Sequence, residues 1–226
     1  MTAAPERPVD LGGCAAIVTG AGGGQGRAIA LALARAGAAV ALNDLNPDRA
    51  ESVRAAIAAG GGQALACPGD VSNRFQAANL IERARDAFGR VSLLLHAAGA
   101  GPLDRPLLRL DEWDWRRLLE VNLTGAFFCT QLMARVMAEE AGGVILLLAP
   151  GHAGADAATA AARAGLGGLA RQAARELAPA GIRVHALCIA APVDVDEVAA
   201  AAVALCGREQ PDAGWQVQVG GGPIPR

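Results

Sequence analysis

Short apolar runs alternate with longer amphipathic stretches along this chain, and the alternation predicts a regular series of strands and helices. The apolar runs carry few polar residues at alternate positions, which indicates strands covered by helices on both faces. Because a stretch of helical length follows each run, the pattern is typical of consecutive β-α-β units in a parallel sheet. The predicted strands are Ala15–Thr19, Ala39–Asn43, Ala64–Cys67, Val91–His96, Val144–Ala149, Arg183–Ile189 and Trp215–Val219.

The helices predicted between these strands are bounded by recognisable start and stop residues. Glycines follow three predicted helix ends, and Asn46 and Ser72 are suitable N-caps. No repeat, low-complexity tract or long linker divides the chain, so we predict one doubly wound α/β domain over residues 1–226, with residues 1–10 as an N-terminal extension. The predicted helices are Gln25–Ala36, Pro47–Ala59, Arg74–Phe88, Glu112–Glu139, Thr159–Leu177 and Val195–Cys206.

The composition limits the possible functions. The 226 residues, 53% of them hydrophobic, suffice for one sizeable core. A formal net charge of −2, spread along the chain, offers no basic surface to nucleic acid, and no apolar stretch approaches the ~20 residues that span a bilayer. The five cysteines form no Cys-x-x-Cys pair, so we expect reduced core residues, no metal site and a cytoplasmic location.

A glycine-rich turn lies where the first predicted strand meets the first helix. Gly20, Gly24 and Gly26 allow a tight turn and let the backbone approach a pyrophosphate, which the helix N-terminus attracts. Asp44 ends the second strand, where a carboxylate can bind both ribose hydroxyls and repel a 2′-phosphate, so NAD is favoured over NADP. An alternative stays open, because the turn itself requires glycines and Asp44 is compatible with a solvated strand end.

Four segments in order resemble those of the short-chain dehydrogenase/reductase family: Thr19–Gly26, Asp44, Gly69–Val71 and His96–Gly99. The resemblance implies a single-domain Rossmann-type fold with adenine near Gly69–Val71, and His96–Gly99 replaces the usual Asn-Asn-Ala-Gly. We therefore expect NAD, if it binds, to be held weakly and mainly by its adenosine half. The cofactor-binding residues implied are Gly20, Gly24, Gln25, Gly26, Asp44, Asp70, Val71, Ala97 and Gly99.

The residues that carry the family's chemistry are replaced in this chain, which contains neither tyrosine nor lysine. The matching register puts Thr159 at the family's tyrosine and Arg163 at its lysine, and its serine falls on Pro150 or Gly151. A threonine hydroxyl is too weak an acid to exchange a proton near neutral pH. The family's asparagine is retained as Asn122, for which we expect a structural role at a helix kink.

The family's substrate-closing segment is also missing. The run His185–Pro192 matches the end of the family's sixth strand, and it leads almost directly into the helix predicted from Val195. The resemblance therefore implies a substrate pocket without the lid that would exclude water and position a substrate.

The parts through which family members assemble are retained. These are two long helices, Glu112–Glu139 and Thr159–Leu177, and the last strand, Trp215–Val219. The resemblance implies that they meet a neighbouring subunit, and we expect a heterotetramer with a catalytically complete relative. Small residues that would let another helix approach closely recur at Ala160, Ala164 and Gly168.

Three functions are compatible with these residues. The first is a non-catalytic subunit that supports a complete NAD(P)-dependent relative. The second is an NAD(H)-dependent oxidoreductase of a hydroxy or keto substrate with atypical residues, for which His152 is the alternative acid. The third is a free-standing dinucleotide-binding regulator. Loss of the catalytic residues argues against the second, and retention of the assembly elements favours the first over the third.

Overall fold

The chain folds around one sheet of seven strands. A computed structural model describes residues 9–150, 156–190, 193–207 and 216–220. The strands are β1 Ala15–Thr19, β2 Ala39–Asn43, β3 Ala64–Ala66, β4 Leu93–His96, β5 Gly143–Pro150, β6 Ile182–Ile189 and β7 Gln216–Val219. All neighbours are parallel, in the order β3-β2-β1-β4-β5-β6-β7. The order reverses between β1 and β4, where open α/β sheets form a crevice at the carboxyl ends of their strands.

Helices connect the strands and cover both faces of the sheet. They are α1 Gly24–Arg35, α2 Pro47–Ala59, α3 Arg74–Phe88, α4 Glu112–Leu119, α5 Gly125–Glu139, α6 Ala157–Leu177 and α7 Val195–Cys206. Short 3₁₀ turns occur at Leu107–Arg109 and Ala178–Ala180. In the described part of the chain, no helix is both long and apolar enough to cross a bilayer.

Two separate cores lie on the two faces of the sheet. Successive strand residues point to opposite faces, so Ile17 and Val18 belong to different cores although both are fully buried. Helices α1, α2 and α7 cover the face of Val18, and α3, α5 and α6 cover the face of Ile17. This confirms the prediction that strands without polar alternation are covered on both sides.

The stretch predicted as one helix from Glu112 to Glu139 is interrupted. A π turn at Glu120–Thr124 separates α4 from α5. Such a turn accommodates one extra residue, which the apolar periodicity of the flanking helices does not reveal. Asn122 lies in this turn, where the sequence predicted a kink.

One predicted helix start is wrong by a residue. The N-cap of α3 is Asn73, whose side-chain oxygen accepts hydrogen bonds from the backbone of Phe75 at 3.0 Å and of Gln76 at 3.2 Å. The predicted cap, Ser72, instead donates its hydroxyl to Asp70. Both residue types cap helices well, so composition alone did not separate them.

Candidate functional site

A cleft of about 520 Å³ opens at the carboxyl ends of β1, β2 and β4. It lies where the strand order reverses, which is the usual ligand position in open α/β sheets. All nine residues that the sequence predicts as cofactor-binding line this one cleft. They are Gly20, Gly24, Gln25, Gly26, Asp44, Asp70, Val71, Ala97 and Gly99.

Two glycines of the turn are required by packing alone. A Cβ on Gly26 would lie 2.1 Å from the carbonyl oxygen of Gly20. Gly20 has a φ of +64°, and a Cβ there would lie 2.7 Å from the Cα of Ala98. Because no side chain fits at either position, these two glycines do not by themselves indicate a ligand.

The rest of the turn has the properties of an anion site. Gly24 has a φ of +48°, and a Cβ on Gly23 or Gly24 would meet no atom within 4 Å. Helix α1 begins here, with no side-chain cap from Gly23 and no acidic residue in its first turn. The first backbone N–H groups of α1 are therefore free to receive a diphosphate, and the residues present fit the pyrophosphate of a dinucleotide.

Asp44 organises the rim of the cleft. One of its carboxylate oxygens accepts a hydrogen bond from the backbone of Gly22 at 2.9 Å, and the other accepts from the backbone of Asn46, also at 2.9 Å. A Cβ on Gly22 would lie 2.7 Å from the same carboxylate. Asp44 therefore joins the glycine turn to the loop after β2 and places a negative charge at the cleft.

Asp70 lies on the other side of the cleft and is also held by its neighbours. Its Oδ1 accepts hydrogen bonds from the Ser72 hydroxyl at 2.6 Å and the Ser72 backbone at 2.9 Å, and its Oδ2 lies 3.7 Å from the Arg117 guanidinium. Burial raises the pKa of this carboxyl, but the Ser72 hydrogen bonds and the Arg117 charge outweigh it, so the pKa lies below its ordinary value. Asp70 is therefore ionised at neutral pH.

His96 lies beneath the cleft at the end of β4, where its ring is enclosed. The Thr19 hydroxyl oxygen accepts hydrogen bonds from the backbones of Ala97 and Ala98 and lies 3.0 Å from His96 Nδ1. Nε2 has no hydrogen-bond partner among the described residues, and burial lowers the pKa of His96 to about 4. His96 is therefore neutral at physiological pH.

A second, much smaller cavity of about 50 Å³ adjoins the cleft at Ala97–Ala100. Three of the positions matched to the family's catalytic residues line it, namely Asn122, Thr159 and Arg163. The Asn122 side chain accepts a hydrogen bond from the Ala100 backbone at 2.9 Å and donates to the Ala100 carbonyl at 3.2 Å. This fits the structural role expected of Asn122, because both ends of its amide are bound to backbone. The predicted residues Gly151 and His152 lie outside the described residues.

The Thr159 hydroxyl is engaged in capping helix α6. It donates to Asp156 Oδ2 at 3.1 Å, and the Thr159 backbone donates to Asp156 Oδ1 at 2.9 Å. Asp156 also accepts from the Leu103 backbone at 2.9 Å. Burial raises the pKa of Asp156, but the hydrogen bonds lower it by a larger amount, so the pKa lies below its ordinary value. Asp156 is therefore ionised at neutral pH. Thr159 and Asp156 thus anchor the segment after β4 to α6.

Sequence reasoning missed two residues that shape these cavities. Asp156 could have been found, because an aspartate three residues before a helical threonine is an N-cap signal. Arg117 carried no signal, since it stands beside another arginine in a polar stretch of α4. Its contact with Asp70 joins residues that are distant in the sequence and follows only from the fold.

Comparison with known proteins identifies relatives. The sequence model of the short chain dehydrogenase family matches residues 14–201. A 3-oxoacyl-[acyl-carrier-protein] reductase of Synechocystis sp. is 37% identical over 61% of this chain, a match that spans only 57% of that reductase. The (2S)-[(R)-hydroxy(phenyl)methyl]succinyl-CoA dehydrogenase subunit BbsD of Thauera aromatica is 35% identical over 77% of this chain and 71% of its own length.

Two solved structures are similar over almost the whole chain. A hydroxysteroid dehydrogenase from Escherichia coli superposes with a TM-score of 0.86 at 32% identity and covers 95% of this chain and 98% of its own. A metagenomic short-chain oxidoreductase in complex with NADP has a TM-score of 0.84 at 30% identity, over 92% of this chain and 97% of its own. The family match, the strand order and the glycine turn agree, and the chain belongs to the short-chain dehydrogenase family.

Proposed function

We propose that this chain is a non-catalytic member of its family that supports a catalytically complete relative in a hetero-oligomer. The observation that carries the proposal is the engagement of the Thr159 hydroxyl with Asp156, in a chain that has neither tyrosine nor lysine. The named relatives are oxidoreductases, so the complex that we propose would act on hydroxy or keto substrates with a nicotinamide cofactor.

Among the described residues that line the small cavity, no side chain is suited to exchange a proton with a substrate. The Thr159 hydroxyl is a weak acid and already donates to an ionised carboxylate, which makes loss of its proton still less favourable. The Arg163 guanidinium offers only hydrogen-bond donors, so it could contact a ribose but offers no acceptor for a substrate proton. Asn122 does not titrate. Catalysis by proton transfer therefore has no support from these three residues.

Two other functions remain as candidates. An NAD(H)-dependent oxidoreductase with atypical residues is favoured by the names of the relatives and would depend on His152 as the acid. A dinucleotide-binding regulator is favoured by the intact cleft alone. A turnover measurement would distinguish the atypical oxidoreductase from our proposal. Assembly with a relative would distinguish our proposal from the dinucleotide-binding regulator.

The isolated protein is expected not to oxidise NADH or NADPH with any carbonyl substrate. The panel would include a 3-oxoacyl thioester and an oxo-steroid, the substrate classes suggested by two relatives. The triple variant Gly151→Ser, Thr159→Tyr, Arg163→Lys should also be inactive, because α7 begins six residues after β6 ends and leaves no room for a lid. Steady turnover that is lost in His152→Ala or Thr159→Ala would instead establish the atypical enzyme.

The cleft is proposed to bind NAD(H) weakly, with the adenosine half providing most of the affinity. The groups that would hold this half are the free N–H groups of α1 and the carboxylates of Asp44 and Asp70, all of which line the cleft. At the proposed nicotinamide end, the described residues around the 50 Å³ cavity leave few polar contacts, because the Thr159 hydroxyl is engaged with Asp156. When bound, such a cofactor supplies hydride chemistry, to which these residues would add only binding and orientation.

The surface of α6 supports the proposed assembly. Ala160, Ala164 and Gly168 are exposed along one side of this helix, and a Cβ on Gly168 would meet no atom within 4 Å. The other long helical stretch exposes two large aromatic residues, Trp113 with 72% and Phe127 with 40% of its surface accessible. Small residues allow close helix contact, and aromatic residues are enriched at interfaces. We propose that these helices and β7, at an edge of the described sheet, meet a neighbouring subunit.

The partner proposed is a relative with an intact Tyr-x-x-x-Lys motif, in a heterotetramer of two chains of each kind. The Thauera aromatica relative is described as a subunit of a dehydrogenase. By analogy, a chain of this family without its own acid could be retained for the surface it presents to a catalytic subunit.

A further inference from the structure

Arg117 reaches the cleft from a helix that otherwise faces away from it. Its guanidinium lines the cleft, lies 3.7 Å from Asp70 Oδ2 and donates to the Ser72 hydroxyl at 3.4 Å. The adjacent residue, Arg116, is more exposed and pairs with Glu112 of the same helix at 2.8 Å. Two neighbouring arginines thus have different surroundings, and only Arg117 contacts the cleft.

The Arg117 contact completes the fixation of the Asp70 carboxylate. Ser72 holds Oδ1 through two hydrogen bonds, and Arg117 faces Oδ2. The side chains of Asp70 and Arg117 are 31% and 37% accessible, and half-exposed ion pairs at this separation contribute little to folding stability. The consequence of the contact is therefore the orientation of Asp70, which becomes a rigid acceptor at the wall of the cleft.

The rest of this wall suits a flat base. Leu45 and Val71 line the same cleft, and Leu45 keeps 67% of its surface accessible although it is large and apolar. A base against these side chains would present its edge to a carboxylate that can only accept hydrogen bonds. An exocyclic amino group can donate a hydrogen bond to that carboxylate. A carbonyl oxygen at the same position can only accept, so it would repel the carboxylate.

We infer that Arg117 is a positioning residue: it orients the Asp70 carboxylate, which the family resemblance already implies as an adenine contact, and thereby strengthens the preference of the cleft for adenine over a 6-oxo purine. The inference rests on the proposed function, because it requires an adenine nucleotide in the cleft. It assigns to Arg117 a role in base selectivity that is separate from the ribose contact proposed for Asp44.

Calorimetric titrations with ADP and with inosine diphosphate test this role, since the two nucleotides differ at the 6-position of the base. For Arg117→Gln we expect the affinity for ADP to fall roughly five- to tenfold, because the Asp70 carboxylate loses the ion pair that orients it. The ratio of ADP affinity to inosine diphosphate affinity should fall as well. Arg117→Lys keeps the charge and should recover part of the ratio. Arg116→Gln is the matched control and should leave both affinities unchanged.

The outcomes separate this inference from the proposed function. If the wild-type protein binds neither ADP nor NAD, the proposed nucleotide site is wrong and the role of Arg117 falls with it. If ADP binds and Arg117→Gln keeps the wild-type ratio, or weakens both nucleotides equally, only the positioning role is overturned. Thermal unfolding without ligand should be alike for Arg117→Gln and Arg116→Gln, so a change in ratio would not reflect loss of fold.

Discussion

His96 is a buried, titratable residue at the end of β4, beneath the cleft. The imidazole is 1% accessible, its Nδ1 is bound to Thr19, and burial lowers its pKa to about 4. The family resemblance suggests asparagine at this position, a side chain that does not titrate. Histidine in place of asparagine therefore makes the folding stability depend on pH.

The pH dependence follows from the difference between the folded and unfolded pKa of His96. The unfolded chain takes up a proton as the pH falls below about 6.5, whereas the folded chain stays neutral until about 4. Stability is therefore full above pH 6.5 and decreases as the pH falls toward 4, by about 3 kcal/mol in total. Urea unfolding across this range should show the wild-type protein losing that amount relative to His96→Asn. Parallel curves for the two proteins would contradict the enclosure of the ring.

Asp44 should control the choice between NAD and NADP. Asp44→Asn removes the negative charge that would repel a 2′-phosphate, and Arg49, which lines the same cleft, would then face the phosphate without competition. We expect any preference for NAD over NADP to fall by roughly tenfold, measured by calorimetry. Asp48→Asn, which neutralises an exposed carboxylate outside the cleft lining, is the control. Tighter binding of NADP by the wild-type protein would overturn the assignment of Asp44.

At the residue scale, much of the cleft is predictable and its supporting contacts are not. Gly20 and Asp44 are identifiable because they directly follow β1 and β2, and Gly24 because it begins the helix after β1; parallel strands bring their carboxyl ends together. Arg117 and Asp156 act through contacts across the fold, with Asp70 and Leu103 respectively. Such contacts depend on how helices pack, which local sequence patterns do not encode.

At the scale of elements, the strands are predicted almost to the residue because continuous apolar runs bounded by glycine and polar turns have few other interpretations. β1 and β2 agree at both ends with their predicted bounds. The π turn at Glu120–Thr124 is the main departure. A π turn depends on one residue gained within an otherwise helical stretch, and the apolar periodicity on either side continues with little sign of it.

Helix α6 offers a matched pair of glycines that separates folding from assembly. A Cβ on Gly165 would lie 2.7 Å from Leu123 Cδ2, whereas one on Gly168 would meet no atom within 4 Å. Gly165→Leu should lower stability by about 1–3 kcal/mol through overpacking. Gly168→Leu should be neutral or stabilise the isolated chain by about 0.5–1 kcal/mol, because leucine favours helix.

In assembly with a partner, Gly168→Leu should be the more disruptive of the two variants, although it is the less disruptive to folding. If α6 meets another subunit, Gly168→Leu blocks close helix approach and should abolish copurification with the catalytic relative while the isolated chain unfolds at or above the wild-type temperature. Ala164→Leu, on the same exposed side of α6, should behave alike. Normal assembly of Gly168→Leu would exclude this side of α6 from the interface.

At the scale of the whole molecule, the chain has the fold of its family without the side chains that carry the family's chemistry. The sheet, both cores and the glycine turn persist in a chain without the family's tyrosine and lysine. The long helices also retain exposed small and aromatic residues suited to a neighbour. We interpret this combination as retention of shape and surface after loss of the catalytic acid.

The most direct test is the native mass of the protein coexpressed with a relative from the same genome that has an intact Tyr-x-x-x-Lys motif, the adjacent gene being the first choice. The proposed assembly predicts one species containing two chains of 22.7 kDa and two of the relative. An obligate interface of this kind buries more than ~2,000 Å², so the relative should lose activity or stability when expressed alone. A monomer or homo-oligomer of this chain beside a relative that is fully active alone would contradict the account.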